Sequence, residues 1–154
     1  MNKNIIFFEY LGEIWRDITA IEFLMRCAIA KKDGDIEKLH KPPYTNGKVY
    51  NSYPKSFFIT AFEDLVKKFN EDFPKIELPP EFIELRHAIA HGLIVEVNNS
   101  GTTELIKFKP VSKSKNLKVE FNMPLEISKL AQIRQSLKEL RRFIALEVDD
   151  KNDS

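Results

Sequence analysis

The side chains of this chain best suited to chemistry lie in the segment 84–92, Glu-Leu-Arg-His-Ala-Ile-Ala-His-Gly. Two of the three histidines, His87 and His91, fall here, and Arg86 precedes the first of them. Arginine grips a phosphate through a planar fork of donors, and histidine is the side chain best suited to moving protons near neutral pH. In a helix His87 and His91 face the same way, about one turn apart, with Arg86 on an adjoining face. The long Arg86 side chain can therefore reach a group held between the two histidines.

These groups fit the cleavage of a phosphodiester by its own neighbouring 2′-hydroxyl. The reaction needs a base for the hydroxyl proton, an acid for the leaving oxygen and a cation to offset charge growing on the phosphate. We expect His91 to act as the acid or base, Arg86 to clamp the phosphate, and His87 to serve as a positioning group or second proton carrier. Two protomers facing each other would combine four imidazoles and two guanidiniums. A two-fold homodimer, the commonest oligomer, is therefore expected.

The run Arg86-His87-Ala88-Ile89-Ala90-His91 resembles the active-site motif of the HEPN superfamily. Ribonucleases of that superfamily carry an arginine, four to six residues, and then a histidine. His87 stands where the family usually has Asn or Asp, a variant also seen in such motifs. Leu93 stands where toxins regulated by a nucleotidyltransferase carry a tyrosine, so the resemblance does not extend to that regulation.

The resemblance implies a compact helical bundle that dimerises with the motif at the protomer interface. It also implies a metal-independent endoribonuclease that acts on RNA, as a toxin with a cognate antitoxin or as a phage-defence effector. The main alternative is a HEPN-like module that binds nucleic acid, a nucleotide or a protein partner without catalysis. A third possibility is a purely structural dimerisation module.

Two further interpretations of the motif follow from the residue types alone. Arg86 could simply pair with Glu81, Glu84 or an acid of the first helix, and His87 could be an exposed surface residue, which would make the cluster structural. His87 and His91 at this spacing could share a zinc ion, but no cysteine lies nearby and no third ligand can be named, so no metal and no cofactor are expected.

Helical spacing of apolar residues, together with the positions of Pro and Gly, predicts the elements that carry the motif. Four helices are predicted, over about 5–32, 55–73, 80–91 and 125–148. Gly34 is expected to end the first helix, Pro79 and Pro80 to open the third, and Gly92 to end it in a left-handed conformation. Pro124 is expected to open the last. Residues 35–54, which include His40, are predicted to form a loop.

Between the third and fourth helices the pattern changes to that of β-strands. Strands are predicted over 93–97 and 103–109, with a third around 117–122. The predicted fold class is mainly α, a HEPN-like helical bundle with a small β-hairpin inserted before the C-terminal helix. We expect one domain over 1–148 and a polar tail over 149–154.

Lysines cluster in and after this hairpin, and we expect them to bind the RNA substrate. They are Lys107, Lys109, Lys113 and Lys115, with Lys118 following. Such residues give salt-sensitive affinity for a nucleic-acid backbone, although lysines at a sheet edge also serve simply to block aggregation. On the first helix, Glu13, Asp17 and Glu22 are expected either to orient the motif or to be ordinary surface acids.

Bulk composition sets few further limits. The chain has 154 residues, a formal charge of +1 and a single cysteine, Cys27, which excludes an internal disulfide. The apolar run at residues 5–8 is too short for a secretory signal and is followed by Glu9. No stretch approaches the roughly 20 apolar residues of a membrane span. The sequence therefore predicts a soluble, cytoplasmic protein.

Overall fold

The computed structural model describes residues 3–34, 39, 41, 44–50, 54–76, 78–97 and 102–149. The helices are α1 (Lys3–Lys32), α2 (Phe62–Asp72), α3 (Pro80–His91) and α4 (Ile127–Val148), with short 3₁₀ helices at Lys55–Phe58 and Pro74–Ile76. The strands are β1 (Leu93–Val97), β2 (Thr102–Pro110) and β3 (Leu117–Pro124). The mainly helical class with a small sheet before the last helix is confirmed. None of the described helices combines the length and apolar character needed to cross a membrane.

Helix α1 agrees with its sequence pattern. Its apolar stripe is buried at Ile14, Ile18, Ile21, Met25 and Ile29. Gly34 follows with φ of +97°, the left-handed conformation that favours glycine at the end of a helix.

The single helix predicted to begin near Lys55 is wrong in its first half. The chain forms a 3₁₀ turn, becomes extended at Ile59, and begins α2 only at Phe62. The cause lies about thirty residues earlier in the chain, at Arg26, whose Nη1 donates to the carbonyls of Ser56 (2.6 Å) and Ile59 (2.9 Å). Phe58, in this first half, is consequently 60% exposed.

The three strands form an antiparallel sheet in the order β1-β2-β3. Leu105 of β2 and its register partner Met123 of β3 are both buried. The regular pairing breaks once, because Lys107 is opposite Phe121 whereas Phe108 is opposite Val119. One residue of β3 is therefore extra at this point, which defines a β-bulge.

Beyond the bulge the sheet continues as a hairpin that no other described part of the chain covers. Every residue from Phe108 to Glu120 is exposed. We call residues 108–120 the hairpin arm. The remainder of the sheet, which contains Leu105 and Met123, is the base.

Helix α4 begins later than predicted. Pro124 does not open the helix but ends β3, and the Leu125 amide donates to the Thr103 carbonyl at 2.8 Å. The strand is thereby extended by one more backbone hydrogen bond, and the first helical residue is Ile127. The helix buries apolar side chains at helical spacing, Leu130, Leu137, Ile144 and Val148.

The described residues fall into two compact units. The first draws on Met1–Trp15 and Pro79–Gln135, and the second on Arg16–Leu78 and Ser136–Ser154. In the second unit, Asp17 is fully buried and accepts a hydrogen bond from Arg141 Nη1 at 2.7 Å. In the first, Glu13 forms an ion pair with Arg134. These two acids therefore tie α1 to α4, and for Asp17 the alternative of an ordinary surface acid is excluded.

Candidate functional site

Helix α3 carries the motif and is fixed at its start by two prolines. Pro79 is extended (φ −69°, ψ 146°), and Pro80 occupies the first turn, where a missing amide proton costs nothing. One side of the helix is buried. That side consists of Phe82, Leu85 and Ala88. Because these positions recur every three residues, they anchor one face and leave the motif residues on the others.

The three motif side chains differ in their access to solvent. Arg86 and His87 are half-buried, and the Nε atom of Arg86 lies beneath the surface. His91, the last residue of the helix, is exposed. The imidazole rings of His87 and His91 lie with their centroids 6.4 Å apart and their planes at 64°. The structure therefore places the two imidazoles side by side, as the sequence predicts.

Gly92 ends α3 at the predicted position but not in the predicted conformation. Its φ is −88° and its ψ is −180°, which is extended backbone, and its amide donates to the Ala88 carbonyl at 2.6 Å. Glycine is required here for another reason. A Cβ on this residue would overlap the Ala88 carbonyl oxygen and lie 2.8 Å from the Ile106 carbonyl oxygen. Close packing against β2, rather than a left-handed turn, therefore fixes the end of the motif helix.

The predicted substrate lysines separate into two groups. Lys107 and Lys109 both reach the carboxylate of Glu120, at 2.8 Å and 3.1 Å. Hydrogen bonds from Lys107 and then Lys109 lower the pKa of Glu120 to about 2. Glu120 is also the residue of β3 that the register skips at the bulge. This acid neutralises part of the charge that the sequence assigns to substrate binding.

The second group lies in the turn of the hairpin arm and beside it. Lys113, Lys115 and Lys118 are exposed, and none of the ion pairs found among the described residues includes them. Lys118 lies directly opposite Lys109 in the strand register. Lys113 has φ of +61°, a conformation uncommon outside glycine and asparagine. The motif and all five lysines belong to the same compact unit.

Within the part of the chain that the structure describes, no three His, Cys, Asp or Glu side chains form a group that could hold a metal ion. His40 lies outside the described residues. Sequence patterns miss the pairing of Glu120 with Lys107 and Lys109. Strict alternation along β3 gives no sign of the bulge, which changes the direction of side chains at this point.

Comparison of the chain with known protein families, curated proteins and solved structures gives no match. The resemblance to the HEPN superfamily therefore stays a prediction from the motif residues.

Proposed function

We propose that this protein is a metal-independent endoribonuclease of the HEPN type. The observation that carries the proposal is the arrangement at the end of α3, where the His87 and His91 rings lie 6.4 Å apart with Arg86 on the same two turns. An exposed imidazole, a neighbouring imidazole and a partly buried guanidinium are the groups that this chemistry requires.

The proposed reaction breaks one bond and forms one. The substrate 2′-oxygen attacks the adjacent phosphorus while one imidazole accepts its proton. The bond from phosphorus to the 5′-oxygen breaks, and a protonated imidazole donates to that leaving oxygen. Arg86 stabilises the added negative charge on the phosphate. The products are a 2′,3′-cyclic phosphate and a 5′-hydroxyl, and no water or metal takes part in the step.

We further propose that the working unit is a homodimer in which two motifs share a site. A two-fold axis near His91 would bring four imidazoles and two guanidiniums together. If the site is shared, mixing the Arg86→Ala and His91→Ala proteins should restore part of the activity that each has lost. Recovery of activity on mixing supports a composite site. If the subunits exchange but no activity returns, the composite site is contradicted.

The activity is tested by incubating the purified protein with single-stranded RNA in excess EDTA. We expect Arg86→Ala and His91→Ala to reduce cleavage by about 10²–10⁴-fold, the usual contribution of a positioned acid or base. Glu81→Gln is the matched control, because Glu81 is exposed on the first turn of the same helix. Equal cleavage by all four proteins would show that the activity is a contaminant and would refute the proposal.

A binding module without cleavage is the second candidate, and the exposed lysines of the hairpin arm favour it. It would be supported by RNA binding that is unaffected by Arg86→Ala, with no cyclic phosphate produced by the wild type. The resemblance extends the main proposal to a toxin or phage-defence effector restrained by a cognate antitoxin. Growth arrest on expression, abolished by His91→Ala, tests that setting.

A further inference from the structure

The hairpin arm combines solvent exposure with side chains that normally avoid it. Its exposed apolar residues include a cross-strand pair, Phe108 opposite Val119, with Phe108 46% and Val119 53% exposed. Leu117 is 65% exposed. Contiguous exposed apolar groups on a soluble protein usually mark a contact surface. A two-stranded hairpin of this kind is also marginally stable by itself, so these residues do little for the fold.

The charges of the arm indicate what it contacts. Lys113, Lys115 and Lys118 add three positive charges that no described carboxylate offsets. Lys118 also lies opposite Lys109, and like charges at directly opposed strand positions are unfavourable. Local conflicts of this kind tend to occur where a residue is kept for function rather than for stability. The complementary partner is therefore a polyanion.

We propose that the hairpin arm binds single-stranded RNA, with Lys113, Lys115 and Lys118 on its phosphates and Phe108 stacked on a base. The proposal rests on the proposed function only in taking RNA as the polyanion. The arm carries both an exposed aromatic ring and unpaired lysines, the combination that single-strand binding uses, because every base has a face that can stack. Phe108 lies on one face of the two strands and Lys118, at the next register position, on the other, so the bound RNA would pass around the edge of the arm. Lys107 and Lys109 contribute less, since Glu120 holds both.

The arm and the motif are joined by the base of the sheet. Gly92, next to His91, packs beside Ile106 of β2, and the strand runs four residues further to Pro110. At the usual rise per residue this is about 13 Å. An RNA of several nucleotides could therefore be bound by the arm while one of its phosphodiesters lies at the motif.

The test measures binding of a 2′-O-methyl oligonucleotide of about 12 nucleotides, which lacks the attacking hydroxyl and cannot be cleaved. We expect Lys113→Gln/Lys115→Gln/Lys118→Gln to weaken binding about tenfold or more at low salt. The slope of log K against log salt should fall by about 2, because each phosphate contact on a single strand contributes about 0.7. Phe108→Leu should weaken binding about fivefold without changing that slope, because stacking involves no counterion.

The matched control is Lys55→Gln/Lys67→Gln/Lys75→Gln. These three lysines are exposed in the other unit and form none of the ion pairs found among the described residues. The control removes the same net charge and should leave both affinity and slope near those of the wild type. Lys107→Gln/Lys109→Gln should weaken binding less than Lys113→Gln/Lys115→Gln. The triple Lys→Arg variant of the arm should bind as the wild type does.

Equal losses in the arm and control triples would overturn the proposal, because the effect would then reflect net charge alone. Unchanged RNA affinity in the arm triple, with loss of binding to anionic lipid vesicles, would also overturn it. The binding test can fail or succeed independently of the cleavage test for the proposed nuclease. Arm-dependent binding without cleavage of native RNA supports this inference and refutes the nuclease, and cleavage without arm-dependent binding does the opposite.

Discussion

The base of the sheet and the hairpin arm belong to the same strands but are held in different ways. In the base, Leu105 and Met123 are register partners and both are buried. Gly92 packs so closely against β2 that it has no room for a side chain. In the arm every residue is exposed, and the Glu120 carboxylate pairs with Lys109 of the arm and with Lys107 at the adjoining end of the base.

This difference assigns separate roles to the two parts: the base positions the motif helix, and the arm offers side chains for contact with a partner. Because the base is packed, it fixes where α3 ends and the direction in which the arm leaves the sheet. The arm takes its shape from backbone hydrogen bonds between β2 and β3, and its side chains are left to face solvent. Substitutions in the base should therefore cost stability, whereas substitutions in the arm should change binding and leave stability nearly unaffected.

The largest effect on stability is expected from truncating a base residue. Leu105 is 3% exposed, so Leu105→Ala should lower the free energy of unfolding by about 2–5 kcal/mol through lost burial and the cavity left behind. Phe108→Ala, three residues along the same strand, should change it by less than about 0.5 kcal/mol. Denaturant unfolding of the two variants measures both values. A similar loss of unfolding free energy in both variants would mean that the arm is packed as tightly as the base, which would contradict the difference drawn between them.

The positions of α3 and its motif are largely predictable from sequence. Pro79, Pro80 and Gly92 delimit the helix, and the spacing of the two histidines places their rings on one face. The conformation of Gly92 was not predictable, because glycine permits both a left-handed turn and a close backbone approach. The choice between them depends on where β2 passes, and its nearest residue, Ile106, is fourteen positions later.

Two other features escape sequence patterns for the same reason. The break before α2 depends on Arg26, whose guanidinium holds the Ser56 and Ile59 carbonyls, and no local propensity reveals this. The bulge at Glu120 appears only when β2 and β3 are aligned with each other. Interactions between distant segments decided both features, whereas periodicity reports on one segment at a time.

The next largest effect is expected at Gly92, where the base meets the motif. In Gly92→Ala the new methyl group would meet backbone oxygens of Ala88 and Ile106, which cannot rotate away. We expect a loss of about 1–3 kcal/mol in stability. We also expect about 10²-fold slower RNA cleavage, because the neighbouring His91 would be displaced.

The matched control is the same substitution at Gly12 in α1. Apart from its two chain neighbours and the backbone of the helix itself, no described residue has a heavy atom within 4 Å of a Cβ built there. Gly12→Ala should stabilise the protein by about 0.5–1 kcal/mol, because alanine is the better helix former. If Gly92→Ala proved as stable and active as the wild type, the close packing of the base would have no role in placing the motif.

Glu120→Gln is expected to change stability least. It also tests most sharply the difference between the lysines that Glu120 pairs with and those that it leaves free to bind RNA. Lys107 and Lys109 hold the pKa of Glu120 near 2 in the folded protein, below its ordinary value of 4.5. A carboxylate with a lowered pKa stabilises the fold fully above its ordinary pKa and loses that contribution as the pH falls towards its folded value. The melting temperatures of wild type and Glu120→Gln should therefore differ slightly at pH 6 and converge near pH 2.

The same substitution should affect RNA in the opposite direction from every other arm variant. Without the carboxylate, Lys107 and Lys109 become available to phosphates, so affinity for the uncleavable oligonucleotide should rise and the salt slope should steepen by up to about 1.4. Glu71→Gln, at an exposed position in α2, removes the same charge and should have little effect. A rise of equal size in both variants would show that Glu120 acts only through net charge. A rise confined to Glu120→Gln would show that the bulge acid limits how many lysines of the sheet the RNA can reach.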